Sequence, residues 1–290
     1  MARTSRIRKD NANYHLMSRT NARAFLFDDG RIKSSIVGIL HRVAAFSGVK
    51  LHAYCIMDDH FHIVCNITKS ETPISEQLII ERIGILKGKA AAEDFAKSLS
   101  ALRKTKSYKK RIEEELDRWR ARMEDVSEFT KTFKELVNIA YKKKHPYCGS
   151  IWSGRFTSTI IESGEYLRNC IRYVEYNPVR ARMVTQAKDY AWSSQSDSAP
   201  HAFAGSVPSC VCREGDADGG CKAGSYSNGD VWVMRRWAQM GSGKIFGSRA
   251  FVEAEIGMSE CCFNGCRVKA RQVADRAYAA YGHRLAKKSV

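Results

Sequence analysis

Val49-Lys-Leu-His-Ala-Tyr-Cys-Ile-Met57, Asp58-Asp59 and His60-Phe-His-Ile-Val-Cys-Asn66 follow one another without a break, and this stretch decides the fold. Two runs rich in Val, Ile, Leu, Cys and aromatic residues, separated by two acidic turn residues, predict a β-hairpin. Side chains two apart on a strand share a face. His60 and His62 therefore project together, while Phe61 turns toward the opposite face and a core.

Working outward, Ile32, Ile36, Ile39, Leu40, Val43 and Phe46 recur at helical spacing, and Gly48 stands where a helix-terminating glycine belongs. Residues 13–20 read as a preceding strand. From 71 to 125 the chain is polar, charged and helix-favouring, suited to a solvated helix or helical hairpin. Phe129, Phe133, Leu136, Val137 and Ile139 restore a core-type helix over 126–144. A fourth strand is predicted at 150–161, then a helix from Gly164 to about Tyr176, stopped by Asn177-Pro178. The order β-α-β-β-α-β predicts an α+β, ferredoxin-like plait with helices on one face. The predicted organisation is a principal domain from 1–70 and 126–195, a charged helical insertion at 71–125, a linker or mobile loop at 196–230, and a helical C-terminal extension at 231–290.

The 290 residues carry 48 basic against 31 acidic side chains, a formal net charge of +17, which creates a field that attracts polyanions. Nucleic acid is the commonest such partner. No run is apolar for long enough to span a bilayer, so no membrane partner is expected. The basic start, Met1 to Lys9, leads into no apolar signal core, and a cytoplasmic, nucleoid-associated location is expected. Cys55 and Cys65 read as reduced core residues. Cys210, Cys212, Cys221, Cys261, Cys262 and Cys266 lack the paired Cys-x-x-Cys spacing of a strong zinc signature, which leaves zinc open.

Two groups of residues carry candidate chemistry. The geometry of His60 and His62 suits two nitrogen ligands on one metal ion, although His-x-His on a strand also serves structure alone. In Tyr173-Val-Glu-Tyr-Asn-Pro178, Tyr173 and Asn177 lie four apart, on one helical face. A phenol can attack a phosphodiester, but with a reference pKa near ~10 it needs help to ionise, which a nearby metal supplies. The other reading is a core or rim tyrosine followed by a helix stop.

Taken together, these segments resemble the REP-associated tyrosine transposases and their insertion-sequence relatives in the single-tyrosine HUH group. The likeness rests on Tyr14-His-Leu-Met-Ser-Arg19, Ala53-Tyr-Cys-Ile-Met-Asp-Asp-His-Phe-His-Ile-Val64, Ile151-Trp-Ser-Gly-Arg-Phe156 and Arg172-Tyr-Val-Glu-Tyr-Asn-Pro-Val-Arg-Ala-Arg-Met-Val184, continued by Tyr190-Ala-Trp-Ser-Ser194. It covers about half the chain, in family order. The resemblance implies Tyr173 as nucleophile, with His60, His62 and Asn177 as ligands of a divalent metal, Mg2+ or Mn2+. It also implies cleavage of single-stranded DNA beside small hairpins, through a covalent 5′-phosphotyrosine link that a 3′-hydroxyl later reverses. Relatives occur both as monomers and as homodimers, and both states stay open here.

Asp58-Asp59 departs from the Pro-Asn common among such relatives. It either tunes the metal site or only makes the turn. Arg155 and Arg180 are candidate phosphate contacts or plain surface arginines. Trp152 is a candidate stacking surface for an unpaired base or a core residue. Glu175 lies off the Tyr173 face, and His15 carries no assignment. The competing class is a non-catalytic, structure-specific DNA-binding regulator. An RNA nuclease using the same metal pair is a further alternative, exposed by dependence on a 2′-hydroxyl.

Overall fold

The hairpin forms where the sequence places it. β2 (Lys50–Ile56) and β3 (His60–Ile67) pair antiparallel across Asp58-Asp59. β1 (Ala12–Arg19) lies antiparallel between β3 and β4 (Thr157–Ile161). A two-residue strand, β5 (Ile245–Phe246), runs parallel to β4. In this computed structural model residues 8–105, 108–145, 149–196, 245–247 and 251 are described, and their strands form one sheet in the order β2-β3-β1-β4-β5. The first four strands, with α1 (Gly30–Ser47) and α5 (Val126–Lys144), make the predicted ferredoxin-like plait.

Alternation along β1 and β3 sorts the faces. Tyr14, Leu16, Phe61, Ile63 and Cys65 pack with Ile36, Leu40 and Val43 of α1 and Phe129 and Phe133 of α5. Both helices have sharp ends. Asp29 caps α1 by accepting from the Arg31 amide at 2.7 Å, and Gly48 closes it in the left-handed region at φ 68°. Asp125 caps α5 by accepting from the Ser127 and Glu128 amides.

The opposite face is not bare. α6 (Glu165–Glu175) lays Cys170, Tyr173 and Val174 on Ala53, Cys55, Val64 and Ile161. Helices therefore cover both faces, which corrects the one-faced plait expected from element order alone. Cys55, Cys65 and Cys170 are buried free thiols.

Three further expectations change. The strand expected over 150–161 is only Thr157–Ile161. Residues before it form a loop in which Gly154 sits at φ 148°, a conformation that favours glycine and breaks the strand. α6 ends at Glu175, just before Asn177-Pro178 as expected, but that pair also opens a further turn, α7 (Asn177–Arg180). Pro178 has no N–H to donate, so the break falls at Tyr176, while the Arg180 and Ala181 amides still reach Tyr176 and Asn177. Third, β5 puts a strand inside the stretch expected to be a helical extension.

Within 71–125 the chain forms α2 (Glu76–Lys87), α3 (Lys89–Leu102) and α4 (Tyr108–Arg120). Ile79, Ile83, Leu99, Ile112 and Leu116 make a small core that takes in Phe46 of α1. These helices are thus anchored on the plait through apolar burial. The remainder of the linker and extension, with the six late cysteines, lies outside the described residues.

Candidate active site

His60 and His62 stand on β3, opposite Arg19 and Met17 of β1. Their rings lie edge to face with centroids 5.0 Å apart. Each ring has one nitrogen already engaged. His60 Nδ1 contacts the Asp59 carboxylate, a group it follows directly in sequence. His62 Nδ1 lies 2.8 Å from His15 Nε2, across the β1–β3 pairing. With both Nδ1 atoms committed, the two Nε2 atoms are the nitrogens left to a shared metal. Metal-ligating histidines characteristically bond a carboxylate, carbonyl or water through the other ring nitrogen, and that partner sets the tautomer.

Burial controls the charge state. His15 and His62 are both buried, at 6% and 2% exposure. Desolvation pushes the His15 imidazole down to about 3, so it is neutral at physiological pH. His62 is held well below its ordinary value, first by burial and then by the positive fields of His15, His60, Arg19 and Arg180. Neutral imidazole is the form that binds metal. A neutral His15 also has a lone pair on Nε2 that can accept the His62 Nδ1–H when Nδ1 of His15 carries its proton.

Tyr173 is brought to this pair by α6. Its ring is edge-on to His62, with centroids 5.5 Å apart, and to His15 at 6.1 Å. Arg180 places its guanidinium carbon 4.9 Å from the Tyr173 ring centroid, so this candidate phosphate contact does stand beside the candidate nucleophile. Asn177 begins α7, half-buried, one turn beyond Tyr173. Glu175 points elsewhere: it accepts from Ser194 Oγ at 2.9 Å, and burial raises its carboxyl pKa.

The two acids of the turn have different roles. Asp59 holds His60. Asp58 pairs at 2.5 Å with Lys33 of α1, whose side chain is 4% exposed and whose ammonium also lies 4.5 Å from the Trp192 ring centroid. Asp58 thus ties the turn to the helix layer and Asp59 serves the site.

Trp152 lies in the core rather than on a stacking surface. It is 8% exposed, its indole N–H donates to the Lys134 carbonyl at 3.1 Å, and its ring packs on Phe27 and Phe61. Arg155 is exposed on the loop before β4. Among the described residues no cluster of three or more His, Cys, Asp or Glu side chains is arranged to hold a metal ion. A metal on His60 and His62 would therefore need oxygen ligands of another kind, such as an amide, a phosphate or water.

Sequence reasoning left His15 without a role and did not single out Lys33. The alternation of β1 was the available signal for His15. Once β1 pairs with β3, Asn13, His15 and Met17 share the face of His60 and His62.

Residues 8–112 match the family described as IS200-like transposases. The match covers a little over a third of the chain, contains His15, His60 and His62, and ends before Tyr173. No curated protein sequence matches the chain. Among solved structures, the chain is similar to a REP-associated tyrosine transposase bound to a REP hairpin, at 14% identity and a TM-score of 0.37, with 67% of this chain and 82% of that chain covered. It is also similar to a candidate transposase from Deinococcus radiodurans R1, at 17% identity and a TM-score of 0.29, with 59% of this chain and 93% of that one covered. Among the described residues no helix is long and apolar enough to cross a membrane.

Proposed function

We propose, proceeding from the IS200-like transposase segment at residues 8–112, that this chain is a divalent-metal-dependent nuclease and strand transferase acting on single-stranded DNA through Tyr173. The observation that carries the reading is the approach of the Tyr173 ring to His62, a histidine whose Nδ1 is already engaged by His15. A tyrosine of the helix layer and two histidines with oriented rings converge on one face of the sheet.

His60, His62 and Asn177 would hold the ion. Bound there, it would supply Lewis-acid polarisation of the scissile phosphate and favour the phenolate. Arg19 and Arg180 add fixed positive charge that draws the phosphodiester in and opposes the negative charge building on it. Tyr173 Oη forms a bond to phosphorus as the bond from phosphorus to the 3′ oxygen breaks. The phenol gives up one proton and the leaving 3′ oxygen takes up one, so the step is balanced without a nucleotide cofactor. Attack of a 3′-hydroxyl on the phosphotyrosine reverses it and joins the strands. DNA carrying a hairpin beside the cleaved strand is the proposed substrate class.

The test mixes purified protein with labelled single-stranded DNA from the flanks of its own gene, with and without Mg2+ or Mn2+, on denaturing gels. A metal-dependent protein–DNA adduct that disappears in Tyr173→Phe is expected. A Phe variant that still forms the adduct refutes the nucleophile. Tight binding with neither adduct nor cleavage, for any flank or metal, would instead describe a DNA-binding regulator.

A further inference from the structure

A groove of about 770 Å³ runs between α5 and the loop of residues 149–156, on the α1–α5 side of the sheet, opposite the face that α6 and Tyr173 cover. We propose that it is a second nucleic-acid site, holding the phosphodiester backbone of the DNA that flanks the cleaved bond; this rests on the reading of the chain as a DNA strand transferase.

One wall is a single stripe of α5 that carries Lys131, Lys134, Asn138 and Lys142 at helical spacing, and the other carries Ser150 and Arg155. Four basic side chains face the groove against two acidic ones, Glu128 and Glu135. Glu128 is partly neutralised by Lys131 at 3.5 Å, a weak exposed pair. Lys134 is part of the wall itself, donating to the Gly154 carbonyl at 2.7 Å. Lys142 and Arg155 have no ion pair among the described residues. Asn138 has its side-chain oxygen buried in the same wall with no hydrogen-bond partner.

The groove is built, and it is tied to the catalytic end of the sheet. Trp152 forms its floor through the indole bond to Lys134. Ser153 donates to the Arg19 carbonyl at 3.0 Å, and Thr20, bridged to Trp152, donates to the Asp59 carbonyl at 2.8 Å. The loop wall is therefore one short strand-end away from the turn that carries His60. Lys131 to Lys142 spans roughly 16 Å of helix, long enough to meet more than one phosphate of a strand. A straight row of cations of that length suits a backbone read without regard to sequence.

The experiment measures equilibrium binding in a Tyr173→Phe background, without metal, over a range of salt. It uses a hairpin-bearing oligonucleotide and a plain single strand from the same flank. The double variant Lys131→Glu/Lys142→Glu is compared with Lys97→Glu/Lys110→Glu on α3 and α4, which changes net charge equally at exposed positions. The groove variant should bind at least tenfold more weakly than the control variant, with a salt slope shallower by about two. Loss confined to the hairpin-bearing DNA assigns the groove to the paired stem, and equal loss with both assigns it to the strand. If the two double variants bind alike, or the groove variant binds like its parent, the proposal is wrong. Binding loss in the groove variant, when the Tyr173 parent forms no adduct with any metal, keeps the groove and removes the strand-transfer reading. Adduct formation with no groove effect does the reverse.

Discussion

Replacing His15 by Phe tests whether the buried His15–His62 contact governs metal binding. The Phe ring keeps a planar aromatic beside His62, where the two ring centroids are now 5.0 Å apart and the planes 11° from parallel, but removes the Nε2 acceptor. In the parent, the His62 Nδ1–H can rest on His15 while Nε2 stays unprotonated for metal. Without that acceptor a buried N–H loses its partner, at a cost of about 1–3 kcal/mol. The metal-free variant escapes most of this by moving the proton to Nε2, the metal-binding nitrogen. The penalty then falls on metal binding, which must restore the unfavourable tautomer. Metal affinity should fall about 10–100-fold, as for other partners behind a metal-bound histidine, while the metal-free protein loses less than about 1 kcal/mol. Mn2+ titration followed by calorimetry reads the first quantity, and urea denaturation without metal reads the second. His15→Gln, which restores an acceptor oxygen, should recover part of the affinity. An affinity for Mn2+ within twofold of the parent in His15→Phe would refute the reasoning.

Three other expectations follow from the same geometry. Asp58→Asn leaves the Lys33 ammonium buried without its anion. The usual loss for breaking a buried pair is about 3–5 kcal/mol, and the low end applies because the Asp58 side chain is 27% exposed; Lys33→Met/Asp58→Asn should regain most of it in the same urea titration, and a double variant no better than Asp58→Asn would count against the pairing. Asp59→Asn should weaken Mn2+ binding, because an amide orients His60 less firmly than a carboxylate, and calorimetry showing unchanged affinity would remove Asp59 from the site. His15, His41, His52 and His62 all have pKa values lowered by burial. Their unfolded values lie near ~6.5, so below that pH the unfolded chain binds more protons and stability is lost as pH falls toward the folded values. His15 alone, folded value about 3, should cost on the order of 1 kcal/mol at pH 5.5. Glu175, raised by burial, works in the opposite direction. Urea midpoints of the metal-free protein at pH 7.5 and 5.5 check this, and a protein no less stable at pH 5.5 would contradict it.

The hairpin, α1 and α5 were legible because each is specified by local pattern. Strand alternation around Asp58-Asp59 sets β2 and β3, and the apolar stripe from Ile32 to Phe46 with Gly48 behind it sets α1. The boundaries of β4 were not legible, since Ile151 and Trp152 are as apolar as a strand requires. They are buried by a loop instead, with Gly154 turning the chain. Likewise the apolar residues of 71–125 are spread through a charged sequence, and only docking on Phe46 shows that they share a core.

The sequence by itself determined the plait and the reactive side chains it offers: two histidines on one strand face, and a tyrosine and an asparagine four apart where a helix ends. Those patterns repeat every two residues or every turn, and a periodic pattern can be read without knowing what it packs against. Tertiary structure alone decided that α6 covers the histidine face, that His15 reaches His62, that Asp58 and Asp59 divide between Lys33 and His60, and that Trp152 is core. Each of these is a contact between segments tens of residues apart. Register and burial fix such contacts, and neither is a property of any local stretch of chain.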